Sequence, residues 1–143
     1  TFSACFGAPF LPLHPTKYAE MLGEKMNDHN VNIWLVNTGW TGGSYGVGNR
    51  MKLKLTRAMI TAALEGSLAE QNFETQDIFG LEIPVTCPNV PDDLLNPRNT
   101  WIDKDAYDNK ANELAQAFIE NFEQFSDKAN QEIMEAAPKI GIS

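Results

Sequence analysis

Apolar residues recur at three- and four-residue steps through Tyr18, Met21, Leu22 and Met26, directly after Pro15-Thr16. This spacing predicts a helix over about 16–27, with Thr16 as its cap. A polar break from Asn27 to Asn30 leads into Val31-Asn32-Ile33-Trp34-Leu35-Val36, whose β-branched and aromatic density predicts a buried strand. Helix, turn, strand is the order of an α/β chain. A glycine-rich loop leaves the carboxyl end of that run, where open α/β sheets place their ligands.

The period then changes. Between Arg50 and Leu55, Met51, Leu53 and Leu55 alternate with Arg50, Lys52 and Lys54, a period of two that predicts one basic and one apolar face. Thr56 is placed to cap a helix that carries Met59, Ile60, Ala63 and Leu64 toward the core and loosens at Gly66-Ser67. Gly80 to Val85 reads as a short strand, and Pro84 confines it to an edge or a strand end. Pro88, Pro91 and Pro97 impose extended loop geometry on the next stretch. Asp103 is placed to cap a long packing helix with Tyr107, Ala111, Leu114, Phe118, Phe122 and Phe125 at helical steps, and 127–137 reads as one more short helix. There is no internal repeat and no low-complexity segment.

Length and composition narrow the class. A chain of 143 residues with 43% hydrophobic residues suits one domain with a core of its own. With 11 basic against 19 acidic residues and a formal charge of −8, a broad electrostatic grip on nucleic acid or anionic membrane is opposed. The basic residues nevertheless cluster at Arg50, Lys52, Lys54 and Arg57, a local field suited to a phosphate-bearing small molecule. Cys5 and Cys87 stand far apart, without a C-x-x-C pair or zinc-like histidine spacing, which favours a reduced, cytoplasmic setting. No apolar run is long enough to span a bilayer. The chain opens directly on TFSACFG, and a cut inside a longer polypeptide explains that start as well as processing does.

The densest candidate chemistry is NTGWTGGSYGVGNRMKLKLTR, residues 37–57, with glycines at 39, 42, 43, 46 and 48. Such a loop reads as a flexible connection that can approach a ligand closely. Gly43 to Gly48 has the gap of a phosphate loop, but Asn49-Arg50 follows where Lys and then Ser or Thr are needed; a dinucleotide fingerprint fails at Met51.

The residues fit a narrower pattern. NTGW, a glycine loop, then RMKLKLTR running into AMITAAL resembles the adenine-binding segment of ATP-dependent phosphoenolpyruvate carboxykinases. TFSACFGAPFLPLHPTKYAEML before it and LEIPV with DLLNPRNTW after it agree in order and spacing, so the likeness covers nearly the whole chain. The resemblance implies a mixed α/β fold, part of the carboxyl-terminal mononucleotide-binding domain, with residues 1–143 forming one segment of a longer enzyme. It implies conversion of oxaloacetate and ATP to phosphoenolpyruvate, carbon dioxide and ADP. The phosphate loop, the Mg2+ or Mn2+ ligands and the oxaloacetate-binding arginines would lie upstream, so no catalytic or metal-binding residue is expected here and the segment alone should be inert.

Three positions carry the adenine role by resemblance. Arg50 would lay its flat guanidinium against the base, which lysine cannot copy. Met51 would line the pocket, and Thr56 would hydrogen-bond the adenosine. Bland readings stand beside each: a solvated arginine, core packing for Met51, and a helix cap for Thr56. Lys52, Lys54 and Arg57 are left as a wet charged face. Cys5 is read as a buried small side chain near the family's cleft rather than a nucleophile. His14 and His29 lack a spaced partner, and the pairs Asp92-Asp93 and Asp103/Asp105 lack the ligand pattern of a calcium loop. The alternative to an enzyme segment is a stand-alone, non-catalytic acidic nucleotide-binding or interaction module; a lectin-like use of Trp34, Trp40 and Trp101 ranks behind it.

Overall fold

The structure is a computed structural model that describes residues 7–141, so Cys5 lies outside the described residues. Helix α1 spans Pro15–His29, starting one residue before the predicted boundary because proline at N1 costs no hydrogen bond there. Thr16 is not its cap. It sits inside the first turn, buried, and its hydroxyl meets His14 Nδ1 at 2.8 Å. Asn30 closes the helix in the left-handed conformation, φ 47°, which asparagine tolerates better than most residues.

The strand expected at 31–36 does not form. Among the described residues none of its amide or carbonyl groups takes part in a backbone hydrogen bond, because no second strand lies beside it. The period of two still shows in the burial: Trp34 and Val36 are partly covered, whereas Val31, Ile33 and Leu35 are exposed, Leu35 at 78%. Trp34 packs on the core and stacks with Phe73 at 6.1 Å.

Strands β1 (Trp40–Thr41) and β2 (Asn49–Arg50) form an antiparallel hairpin around the glycine loop, pairing Trp40 with Arg50 and Thr41 with Asn49. Helix α2 (Leu53–Leu64) starts earlier than expected, with Lys52 at the cap position. Thr56 therefore lies within the helix and caps nothing. Ala62 faces the core with Ala58, Met59 and Ala63 beside it, while Ile60 and Leu64 point outward, correcting their predicted burial. A second antiparallel ladder joins β3 (Phe73–Thr75) to β4 (Glu82–Pro84). The edge strand was foreseen; its partner was not.

The four-residue α3 (Pro97–Thr100) precedes α4 (Lys104–Phe122), which Asp103 caps by accepting Ala106 N–H at 2.9 Å. The helix continues as a 3-10 turn over Glu123–Lys128, and α5 (Gln131–Glu135) follows. Ala111 and Ala115 form the buried stripe of α4 against Ile78, with Phe79 and Tyr107 beside them; Leu114 and Phe118 stay largely exposed. Ala62, Leu68, Cys87 and Val90 make a separate core. The composition of mixed helix and strand is thus as expected, built here from two short antiparallel ladders among helices. No helix among the described residues is long and apolar enough to cross a membrane.

Candidate functional site

The hairpin that carries Arg50 is held by backbone contacts at its waist. A Cβ built on Gly48 would stand 2.6 Å from the carbonyl oxygens of both Gly43 and Thr41, and one on Gly43 would stand 2.8 Å from Gly48 N. Such distances are closed to any side chain, so these glycines allow the two arms to touch. Gly42 and Gly46 add left-handed backbone, φ 76° and 88°. Inside the loop, Val47 and Gly48 both donate to the carbonyl of Ser44, at 3.0 and 2.9 Å. The loop expected to be flexible is a tightly closed turn.

Asn37 staples the base of the hairpin from behind. Its amide donates to the carbonyl of Trp40 at 3.1 Å, and its side-chain oxygen accepts Gly39 N–H at 2.8 Å. On the far side Gly42 N–H donates to Thr100 Oγ1 at 3.0 Å, the hairpin's long-range hydrogen bond to α3. Neither residue was singled out from the sequence. Asn37 had a local signal, an asparagine two residues before a glycine at the foot of the hairpin; Thr100, 58 positions from its partner, had none.

Of the three positions named from the sequence, Arg50 is exposed on β2 and has no ion pair among the described residues. It faces Trp40 across the ladder, and Trp40 meets Tyr45 edge to face at 5.1 Å. Directly opposed residues of an antiparallel pair project to the same side, so a cation and two aromatic rings share one face of the hairpin. Met51 is buried behind it, and its N–H donates to Gly39 O at 2.8 Å. Thr56 is buried in the second turn of α2; its hydroxyl makes no hydrogen bond among the described residues, yet it is not sealed from solvent. The three therefore lie along one hairpin-to-helix junction. Lys52, Lys54 and Arg57 around them are exposed.

Two open clefts lie elsewhere. One of about 290 Å³ is lined by Gln76, Asn96, Arg98, Tyr107 and Asp108, another by Glu20, Glu24, Asn130 and Ile133; neither is lined by Arg50, Met51 or Thr56. In the first, the Arg98 guanidinium grips Asp108 in two bonds of 2.8 Å, which holds the Asp108 carboxyl below the usual aspartate range. Burial and the Gln76 neighbourhood act oppositely on Tyr107, burial prevailing and raising its phenol. Burial likewise pushes the Cys87 thiol up, the reverse of what a nucleophile needs. Among the described residues no group of three or more His, Cys, Asp or Glu side chains could hold a metal ion. The described residues do not fit a metal centre.

Comparison with known proteins agrees with the residue pattern. Residues 1–93 match the family model of phosphoenolpyruvate carboxykinase. The chain is 64% identical over 138 residues to the phosphoenolpyruvate carboxykinase (ATP) of Christiangramia forsetii, covering 96% of this chain and 26% of that protein. The corresponding protein of Flavobacterium johnsoniae is 64% identical over 137 residues, again 96% of this chain and 26% of the relative. That of Thermus thermophilus is 54% identical over 139 residues, 97% of this chain and 26% of the relative. The chain thus spans about a quarter of the length of the curated relatives it matches. Agreement along nearly the whole chain does not favour a stand-alone module.

Proposed function

Since the chain belongs to the phosphoenolpyruvate carboxykinase (ATP) family, we propose that it serves as the adenine-binding part of the carboxyl-terminal nucleotide-binding domain of such an enzyme. The activity is conversion of oxaloacetate and ATP to phosphoenolpyruvate, carbon dioxide and ADP in the cytoplasm. Loss of carbon dioxide from oxaloacetate leaves an enolate, which takes the γ-phosphoryl group of ATP. A divalent cation, Mg2+ or Mn2+, offsets charge on both partners and is held outside this segment.

This segment's contribution is placement. A nucleotide whose base is fixed at one end presents its γ-phosphate in a narrow range of positions, so part of the entropy of alignment is lost on binding rather than in the reaction. Arg50 stacks on the adenine as a flat delocalised cation, Met51 forms the apolar floor, and the Thr56 hydroxyl accepts or donates one hydrogen bond to the adenosine. The observation that carries this reading is the exposed Arg50, without an ion pair among the described residues, on a hairpin whose backbone is pinned on both sides. The apolar face of Val31, Ile33 and Leu35, whose backbone has no hydrogen bond among the described residues, is where the remaining polypeptide of the enzyme packs. That missing portion supplies the phosphate, metal and oxaloacetate ligands.

The test is Arg50→Ala in the intact enzyme. Loss of a desolvated cation–π contact of about 1–2 kcal/mol raises KM for ATP roughly five- to thirtyfold, with KM for oxaloacetate unchanged. An unaltered KM for ATP removes Arg50 from the site.

A further inference from the structure

We propose that Thr100 is a positioning residue for the nucleotide: its hydroxyl fixes the glycine hairpin on α3 and thereby sets where Arg50 stands. The inference rests on the adenine-binding reading of Arg50 and adds a second, distant residue to it.

The geometry is a relay of two hydrogen bonds. Gly42 N–H donates to Thr100 Oγ1 at 3.0 Å, and the same hydroxyl donates to Pro97 O at 2.7 Å. One oxygen therefore accepts from the hairpin and donates to α3, so its proton is committed and its lone pair is aimed at Gly42. The approach is close as well as bonded: a Cβ on Gly42 would lie 3.3 Å from Thr100 O. Gly42 is the first residue after β1, directly beside the Thr41–Asn49 pair and two residues along the chain from Trp40, the partner of Arg50. Movement at Gly42 is passed through that two-rung ladder to Arg50.

A tether is useful only if its other end is fixed. A helix of four residues is too short to hold itself by propagation, and its last carbonyls have no intrahelical donors. Lys104 answers both problems: its ammonium donates to Arg98 O at 2.8 Å, Asn99 O at 3.0 Å and Trp101 O at 2.8 Å. Asn96 caps the other end by accepting Arg98 N–H at 3.1 Å, and the Arg98 side chain is anchored on α4 through Asp108. Thr100 is thus presented by a short segment locked at both ends.

The experiment compares Thr100→Val and Thr100→Ser in the intact enzyme, alone and with Arg50→Ala. Valine keeps the branched shape but removes the oxygen; serine keeps the oxygen. Thr100→Val is expected to raise KM for ATP about fivefold, the equivalent of one hydrogen bond, with KM for oxaloacetate unchanged and Thr100→Ser close to the parent. On the Arg50→Ala background the Thr100→Val effect should vanish, since both changes remove the same contact. Hydrogen exchange at the Gly42 amide, faster in Thr100→Val than in Thr100→Ser, reads the tether directly. A lowered melting temperature with an unchanged KM for ATP would make Thr100 merely structural and overturn the proposal. If Arg50→Ala raises KM for ATP and Thr100→Val does not, this inference falls and the adenine reading stands. If Arg50→Ala has no effect, the adenine reading falls, and any effect of Thr100→Val then arises by another route, which also overturns the proposal.

Discussion

The stretch from Val31 to Arg50 and the stretch from Pro97 to Phe122 solve the problem of order in opposite ways. In the second, side chains satisfy backbone: Asn96 and Asp103 cap helices, Lys104 closes the carbonyls of α3, and Arg98 grips Asp108. In the first, the six-residue run 31–36 has no ladder among the described residues, and its apolar Val31, Ile33 and Leu35 face solvent. The hairpin that follows is fixed by glycine contacts and by Thr100 borrowed from the second region. One region completes itself; the other is shaped to be completed. The difference fits a segment whose ligand-facing wall is assembled with the rest of a longer enzyme.

The comparison breaks first at Leu35, where the two regions should respond most differently to charge. In the intact enzyme Leu35→Lys places an ammonium in a face that the account buries, with an expected loss of about 3 kcal/mol and a lower yield of folded protein. Parent-like thermal unfolding would show that 31–36 is a true surface. Next in size is Gly48→Ala, whose methyl would meet two carbonyl oxygens at 2.6 Å. Opening the waist of the hairpin should cost about 2 kcal/mol and raise KM for ATP in step. A variant that is as stable as the parent would mean that the arms are not closed in solution.

The self-completing region sharpens the contrast with smaller effects. Asp103→Ala removes the acceptor for Ala106 N–H and should lower stability by about 1 kcal/mol, leaving KM for ATP alone. A change in KM would mean that the cap reaches the site. Smallest is the pH dependence of the Arg98–Asp108 pair. Its hydrogen bonds make Asp108 harder to protonate when folded than when unfolded. Its contribution is therefore complete above the unfolded aspartate value of about 3.9 and is lost as pH falls through the lower folded value. Asp108→Asn should remove this part of the acid slope; identical acid-side stability curves for parent and variant would assign the slope to other carboxylates.

Which parts were legible follows from the range of the forces involved. The helices near 16–27, 56–64 and 103–122 were readable because apolar residues recur in the sequence with the helical period, and the Asp103 cap because it acts over three residues. Boundaries erred where capping was inferred from hydroxyls alone: Thr16 and Thr56 are both inside their helices. The 31–36 run has strand chemistry without a strand, since pairing is a property of two segments and the partner is not among the described residues. β3 was missed for the converse reason, three residues that are a strand only because β4 lies beside them. At the candidate site Arg50, Met51 and Thr56 were named by resemblance to the family motif. The packing of Gly43 on Gly48 is local to the glycine loop, but the reach of Thr100 to Gly42 is a contact across the fold, and no local pattern encodes it.

The central claim is tested most directly by a crystal structure of the intact enzyme with ATP bound. The adenine ring is expected within about 6 Å of the Arg50 guanidinium, face to face, with Met51 beneath the base and Thr56 within hydrogen-bond reach of the adenosine. A base seated away from residues 39–56 would contradict the claim.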